Sequence, residues 1–458
     1  MKLTGEQSLF QQAQEYAASY MDSIGKRPVF PDSEALEKMQ VFKEPLPDLP
    51  CSGFEIVEQL HKYGSPATVA QTGGRYFGFV NGGTIPAAQA VQCLTAAWDQ
   101  NAALYLMSPI ASCLESICEQ WLIDLFALPE QTVAGLLSGS SAATLSGIAA
   151  ARFALLHKQG WDVNNDGLAG APVLRIVLSE QAHSSVFKAL ALLGFGKNQL
   201  ELIAVDAQGR MRTDLLPELD NRTIVIAQAG NVNSGAFDAI DTITDRSNKA
   251  GAWVHVDGAF GLWCAASRSR RYLTEGIAQA DSWSVDGHKT LNAPYDCGIV
   301  LCKHPKALSS AMQASGSYIH YSEERDGMAY VPEMSRRLRS VELWATLKVL
   351  GRQGIEDLVD SLHRYAKQFA DELTVQGFQI YNDVVFNQIL VACENQELTN
   401  KTLENIQQSG DCWCGGTFWQ GQQLIRISVC SWRTDENDIH KSVAVFVKAR
   451  MVARQALR

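Results

Sequence analysis

At 458 residues the chain is too long for a single hydrophobic core, so two or three packed units are expected. Apolar residues make up 46% and charged residues 19%, the balance of an ordinary folded enzyme or large binding protein. A formal net charge of -10 argues against general nucleic-acid binding, which needs basic patches to displace counterions, and no uninterrupted apolar run is long enough to span a bilayer.

The opening Met-Lys-Leu-Thr-Gly-Glu-Gln-Ser lacks the long apolar core of a signal peptide. The eleven cysteines are scattered singly, and the closest pair, Cys412 and Cys414, has no partner pair at zinc spacing. That usage fits reduced thiols and a cytoplasmic protein. Residues 1–60 read as an N-terminal helical arm, with apolar residues at helical spacing from Leu9 to Tyr20 and a proline-punctuated stretch from Lys26 to Pro50. An arm of this kind packs on another subunit or lies as a solvated flap.

A turn-rich aromatic segment, Arg75 to Gly83, precedes a long helical pattern from Ile110 to Leu128. Gly135-Leu-Leu-Ser-Gly-Ser-Ser-Ala-Ala-Thr144 then runs into an alanine-rich helix, Leu145 to Leu156. Small residues at a helix start leave backbone N–H groups free at the positive end of the dipole, which suits a phosphate, although serine and glycine are also ordinary N-caps.

From about 172 to 303, apolar strands alternate with helices. The predicted strands are Val173–Leu178, Glu201–Val205, Thr223–Gln228, Ala252–Val256, Ser282–Val285 and Gly298–Cys302; Ser184–Leu193 and Asp238–Ala250 are two of the helices. Such alternation predicts an α/β fold with a mostly parallel sheet covered on both faces, and ligands bind off the carboxyl ends of its strands. Three polar residues fall at such ends: His183, Asp257 and Lys289. Residues 304–335 lack periodicity, as a lid or a solvated connection would. A long helix beginning near Arg336 opens a small C-terminal α+β domain with strands at Gln379–Tyr381, Val385–Val391 and Gln423–Val429. The expected divisions are 1–60, 61–335 and 336–458.

Taken alone, Lys289 is most simply a surface lysine. Taken with a phosphate cradle, an aspartate and a histidine on one sheet edge, it matches what pyridoxal 5'-phosphate requires. The phosphate suits the N–H groups of Gly139, Ser140 and Ser141; the aldehyde needs a lysine; a carboxylate such as Asp257 keeps the ring nitrogen protonated; a flat side chain such as His183 stacks on the ring.

The chain resembles the group II pyridoxal-phosphate amino-acid decarboxylases of fold type I over roughly residues 30 to 450. The resemblance rests on Gln181-Ala-His-Ser-Ser185, His255-Val-Asp-Gly-Ala-Phe-Gly261, Asp286-Gly-His-Lys289 with Asp296-Cys297 following, and Ser335-Arg-Arg-Leu-Arg339; Ser108-Pro109 and Trp121 also match. It implies a seven-stranded sheet with flanking helices. It implies that Lys289 is the Schiff-base lysine, Asp257 the pyridine partner and His183 the stacking ring. Gly139, Ser140 and Ser141 would form the phosphate loop, with His288 near the phosphate. Tyr318 would be the loop tyrosine that protonates the α-carbon after carbon dioxide leaves. It implies, too, a homodimer with active sites at the interface, and a reaction from L-amino acid to amine.

Two departures bear on the substrate. Val232 stands where a hydroxyl side chain is frequent, and Asn81 and Asn101 lie in segments that line an apolar pocket in aromatic-amino-acid decarboxylases. Buried amides need partners, which a polar substrate group or ordered water would supply. Rival readings are an aminotransferase or aldehyde-forming deaminase on the same fold, a metal-dependent hydrolase using His255, Asp257 and His288, and a non-enzymatic binding protein.

Overall fold

The computed structural model describes residues 6–314, 316 and 321–458. The described residues fall into two compact units. The larger comprises Val80–Lys367 and Asn382–Ile389; the smaller gathers residues of Met1–Phe79, Gln368–Tyr381 and Leu390–Arg458. The N-terminal and C-terminal portions therefore share a unit, a grouping different from the three consecutive divisions. Backbone pairing is the reason: Val29 N–H donates to Gly410, Phe77 N–H to Trp413, and Ser428 N–H to Phe77.

Seven strands form one sheet in the larger unit: β1 Val133–Leu137, β2 Arg175–Ser179, β3 Leu200–Ile203, β4 Thr223–Gln228, β5 Trp253–Asp257, β6 Ser282–Asp286 and β7 Gly298–Cys302. Their order is β1-β7-β6-β5-β4-β2-β3. β7 is antiparallel to β1 and β6, and every other neighbouring pair is parallel. The fold is thus α/β with a mostly parallel seven-stranded sheet, as the alternating pattern predicts. β4, β5, β6 and β7 are buried at every position, which follows from side chains that serve both covered faces.

Helix Ser140–Lys158 crosses β5, β6 and β7. Its alanines allow the close approach: Ala143, Ala150 and Ala151 are fully buried, and a Cβ on Gly147 would stand 2.7 Å from the His255 ring. Helix Ser184–Leu192 follows β2, and helix Ile240–Ala250 follows β4. β1 was not among the predicted strands, because its five residues pass directly into the glycine–serine turn.

The smaller unit carries a second sheet, with β8 Gln379–Ile380, β9 Gln388–Ala392, β10 Gly415–Trp419 and β11 Gln422–Ser428 in the order β10-β11-β9-β8. The β10–β11 hairpin turns on Gln420 and Gly421, both at positive φ, the backbone a two-residue turn demands. Helices Gln396–Ser409 and Glu436–Ala456 pack on one another. Among the described residues, no helix is long and apolar enough to cross a membrane.

Candidate active site

β2, β5 and β6 present their carboxyl ends on one edge of the larger sheet. The turn after β6 is pinned from several sides, and this fixes Lys289. Thr290 Oγ1 donates to the Phe260 carbonyl at 2.8 Å. Asn292, in the left-handed region at φ 58°, donates through Nδ2 to the carbonyls of Lys289 and Thr290 and accepts the Gly83 N–H at 2.6 Å. A Cβ on Gly82 would lie 2.2 Å from the Lys289 carbonyl oxygen, so only glycine lets that strand of backbone pass.

Asp257 ends β5 and is 5% exposed. Burial pushes its carboxyl above the usual carboxylate range; the charges of His183 and Lys289 pull the other way, while Asp286 adds to the rise. His183 caps helix Ser184–Leu192: its Nδ1 accepts the Ser185 N–H at 3.2 Å and lies 2.7 Å from the Ser185 hydroxyl, which sets the plane of the ring. Asp257 and Lys289 therefore lie at the carboxyl ends of the neighbouring strands β5 and β6, and His183 follows β2 of the same sheet.

Gly139 precedes the N-terminus of helix Ser140–Lys158, and Ser141 is exposed beside it. Ser140 donates its N–H to Asp286 Oδ1 at 2.6 Å and its hydroxyl to Oδ2 at 2.7 Å. Lys289 Nζ lies 3.2 Å from Asp286 Oδ2. His288 accepts the Cys297 N–H on Nδ1, stacks on Tyr295 at 4.2 Å, and has its Nε2 3.6 Å from Asp286; burial holds the ring toward its neutral form. The Tyr295 hydroxyl donates to Asn81 at 3.0 Å. Asp286, Asn292 and Tyr295 are contributors that reasoning from strand ends misses. Asp286 had a signal, three residues before Lys289 at the end of a strand.

Other expected positions resolve differently. Tyr318 lies outside the described residues. The Asn101 amide has internal partners: Oδ1 accepts the N–H groups of Ala103 and Arg336 at 3.2 Å each, and Nδ2 reaches Ser335 Oγ at 3.4 Å. The Ser335–Arg339 segment is a clamp. Arg336 is buried against Glu115 and the carbonyls of Ala102 and Leu136, while Arg337 and Arg339 hold Asp296 at 3.0 and 3.1 Å. His255 does not join Asp257 and His288 as a ligand set. It is 0% exposed, with Nδ1 2.9 Å from Ser282 Oγ in the core under Gly147, and no metal-type cluster occurs among the described residues.

Residues 39–392 match the profile of the pyridoxal-dependent decarboxylase conserved domain. An aromatic-L-amino-acid decarboxylase of Manduca sexta is 26% identical over 77% of this chain and 72% of its own length. A cysteine sulfinic acid decarboxylase of Mus musculus is 30% identical over 49% of each chain. Among solved structures, Oryza sativa TDC with PLP and tryptamine superposes with a TM-score of 0.89 at 21% identity, covering 99% of both chains. The donor set suits that cofactor: a buried carboxylate in need of a cation, an imidazole with a fixed plane, a lysine, and a helix start that has no Cβ at Gly139. With more than half its length inside the profile, the chain belongs to the pyridoxal-dependent decarboxylases, amino-acid carboxy-lyases that use pyridoxal 5'-phosphate.

Proposed function

We propose that the protein removes the α-carboxylate of an L-amino acid, aromatic or more polar in its side chain, as carbon dioxide and releases the amine. The observation that carries this reading is geometric: Asp257 ends β5 beside β6, and Lys289, just past β6, lies 3.2 Å from Asp286, which in turn takes the Ser140 N–H at the helix start. In this reading, Lys289 would hold the cofactor through its amine. Asp257 would pair with the ring nitrogen: a positive nitrogen would offset the burial of the carboxyl, and the carboxylate would in turn favour the protonated nitrogen. His183 would offer its flat side chain to the ring. Gly139, Ser140 and Ser141 would receive the phosphate at the positive end of their helix, with His288 nearby. When bound, the cofactor supplies an electron sink for the pair left on the α-carbon. Tyr318 would return a proton to that carbon; a phenol can do so from hydrogen-bond reach without carrying charge.

The same reading makes the protein a cytoplasmic homodimer with its sites at the subunit interface. Large apolar side chains left uncovered on the single chain support the dimer, among them Leu46 at 92% and Leu106 at 83% exposure.

The test is spectroscopic and then chemical. Purified protein is expected to show a visible cofactor band that borohydride bleaches, with Lys289 modified, and Lys289→Ala is expected to lose both. Aromatic, acidic and diamino acids would then be assayed for carbon dioxide and retained amine. A keto acid or an aldehyde as the main product would overturn the decarboxylase reading.

A further inference from the structure

The helix start at Ser140 already holds an anion belonging to the protein. Asp286 is 1% exposed and takes both donors of Ser140, the N–H on one carboxylate oxygen and the hydroxyl on the other, at 2.6 and 2.7 Å. The Lys289 ammonium stands 3.2 Å from the same carboxylate. The main chain beneath this side chain is fixed. Asp286 N–H donates to the Ala259 carbonyl at 2.9 Å, and its carbonyl accepts the Trp263 indole N–H at 2.9 Å. The opposite wall is equally tight, since a Cβ on Gly298 would come within 2.3 Å of Gly139 backbone. Turning its own side-chain torsions would let the carboxylate leave Ser140 without breaking these main-chain bonds.

We propose that Asp286 is a resident anion in the phosphate cradle, which competes with the cofactor's phosphate for Ser140 and tethers Lys289, so that the protein holds phosphorylated cofactor less tightly than the same cradle would without it. This rests on the assignment of Gly139–Ser141 to the phosphate and of Lys289 to the cofactor. Two anions at one helix N-terminus share a single positive end and repel, and the repulsion is stronger in a partly buried site than in water. The effect depends on the phosphate and not on the pyridine ring, which is what makes it separable.

Full-length protein stripped of cofactor would be titrated with pyridoxal phosphate and with pyridoxal, following the lysine-linked absorbance. Asp286→Asn keeps an oxygen for Ser140 N–H and removes the charge; Asp286→Ser is a second variant, and far-UV circular dichroism establishes that each is folded. Asp286→Asn is expected to tighten pyridoxal phosphate by at least about tenfold more than it tightens pyridoxal, the scale of one charge–charge contact. Inorganic phosphate alone is expected to raise the melting temperature of that variant more than that of the wild type. A folded Asp286→Asn that binds pyridoxal phosphate no more tightly, or gains equally for pyridoxal, overturns the proposal and leaves the site assignment standing. A wild type that takes up neither compound on Lys289 removes the site assignment and this proposal together.

Discussion

Asp257 and His255 are two residues apart on β5, both buried, and burial drives their titrations in opposite directions. For Asp257 the direction fits the role proposed for it, because a carboxyl pushed up by burial gains most from a cation placed beside it. Asp257→Asn is expected to lower kcat by roughly 100-fold or more, the scale of losing a charged contact in a dry site, in a protein that still holds cofactor on Lys289. For His255 burial pushes the imidazole down to about 3, with Ser282 as its neighbour. Its ordinary value is near 6.5, so below that pH the unfolded chain takes up a proton that the native state refuses. Stability is therefore expected to fall as pH drops from about 6.5 toward 3, and His255→Gln should flatten that slope in urea titrations at pH 7.5 and 5. Tyr318→Phe is expected to lower kcat about 10²–10⁴-fold with the cofactor band intact, the range for a positioned proton donor.

At the scale of elements, one tight approach lies where β7 starts beside the turn before Ser140. A Cβ on Gly298 would overlap the Gly139 backbone. Gly298→Ala is expected to destabilise the fold by about 1–3 kcal/mol and to speed cofactor loss on dialysis, since the side chain pushes on the turn assigned to the phosphate. A buried ionic cluster holds the other end of β1: Glu115 lies between Arg325 and Arg336, and Arg325 also reaches Glu119 at 2.7 Å. Removing one charge strands the others, so Glu115→Ala is expected to cost about 3–5 kcal/mol in a denaturant melt. Which site residues can be read from sequence follows from the same geometry. His183, Asp257 and Lys289 are visible because each ends or closely follows an apolar strand, and strand ends carry ligands in such sheets. Asn292 and Gly82 are not, because their roles depend on tertiary contacts, and although Asp286 is marked by its place at a strand end, its partner is not: it meets Ser140 because β7 inserts between β1 and β6.

At the scale of the whole molecule, periodicity shows the α/β sheet but not which distant segments share a unit. Tyr76 stacks on Trp413 at 5.3 Å, and no local pattern at either residue announces the other. For the proposed homodimer, a dimer mass in sedimentation is the expected outcome. The sheet order also has a temporal consequence. In this sheet β1, the first strand made, lies beside β7, the last of its seven, so the turn before Ser140 is completed by Gly298 only after the other six strands of the sheet have been made. Pairings so distant in sequence form slowly. During refolding from urea, helical circular dichroism is expected to recover well before the cofactor band. Added pyridoxal phosphate should then raise the final yield by mass action on the finished state, without accelerating the early phase. In a cell, the supply of cofactor would set how much of the newly made chain persists, and not how fast it takes shape.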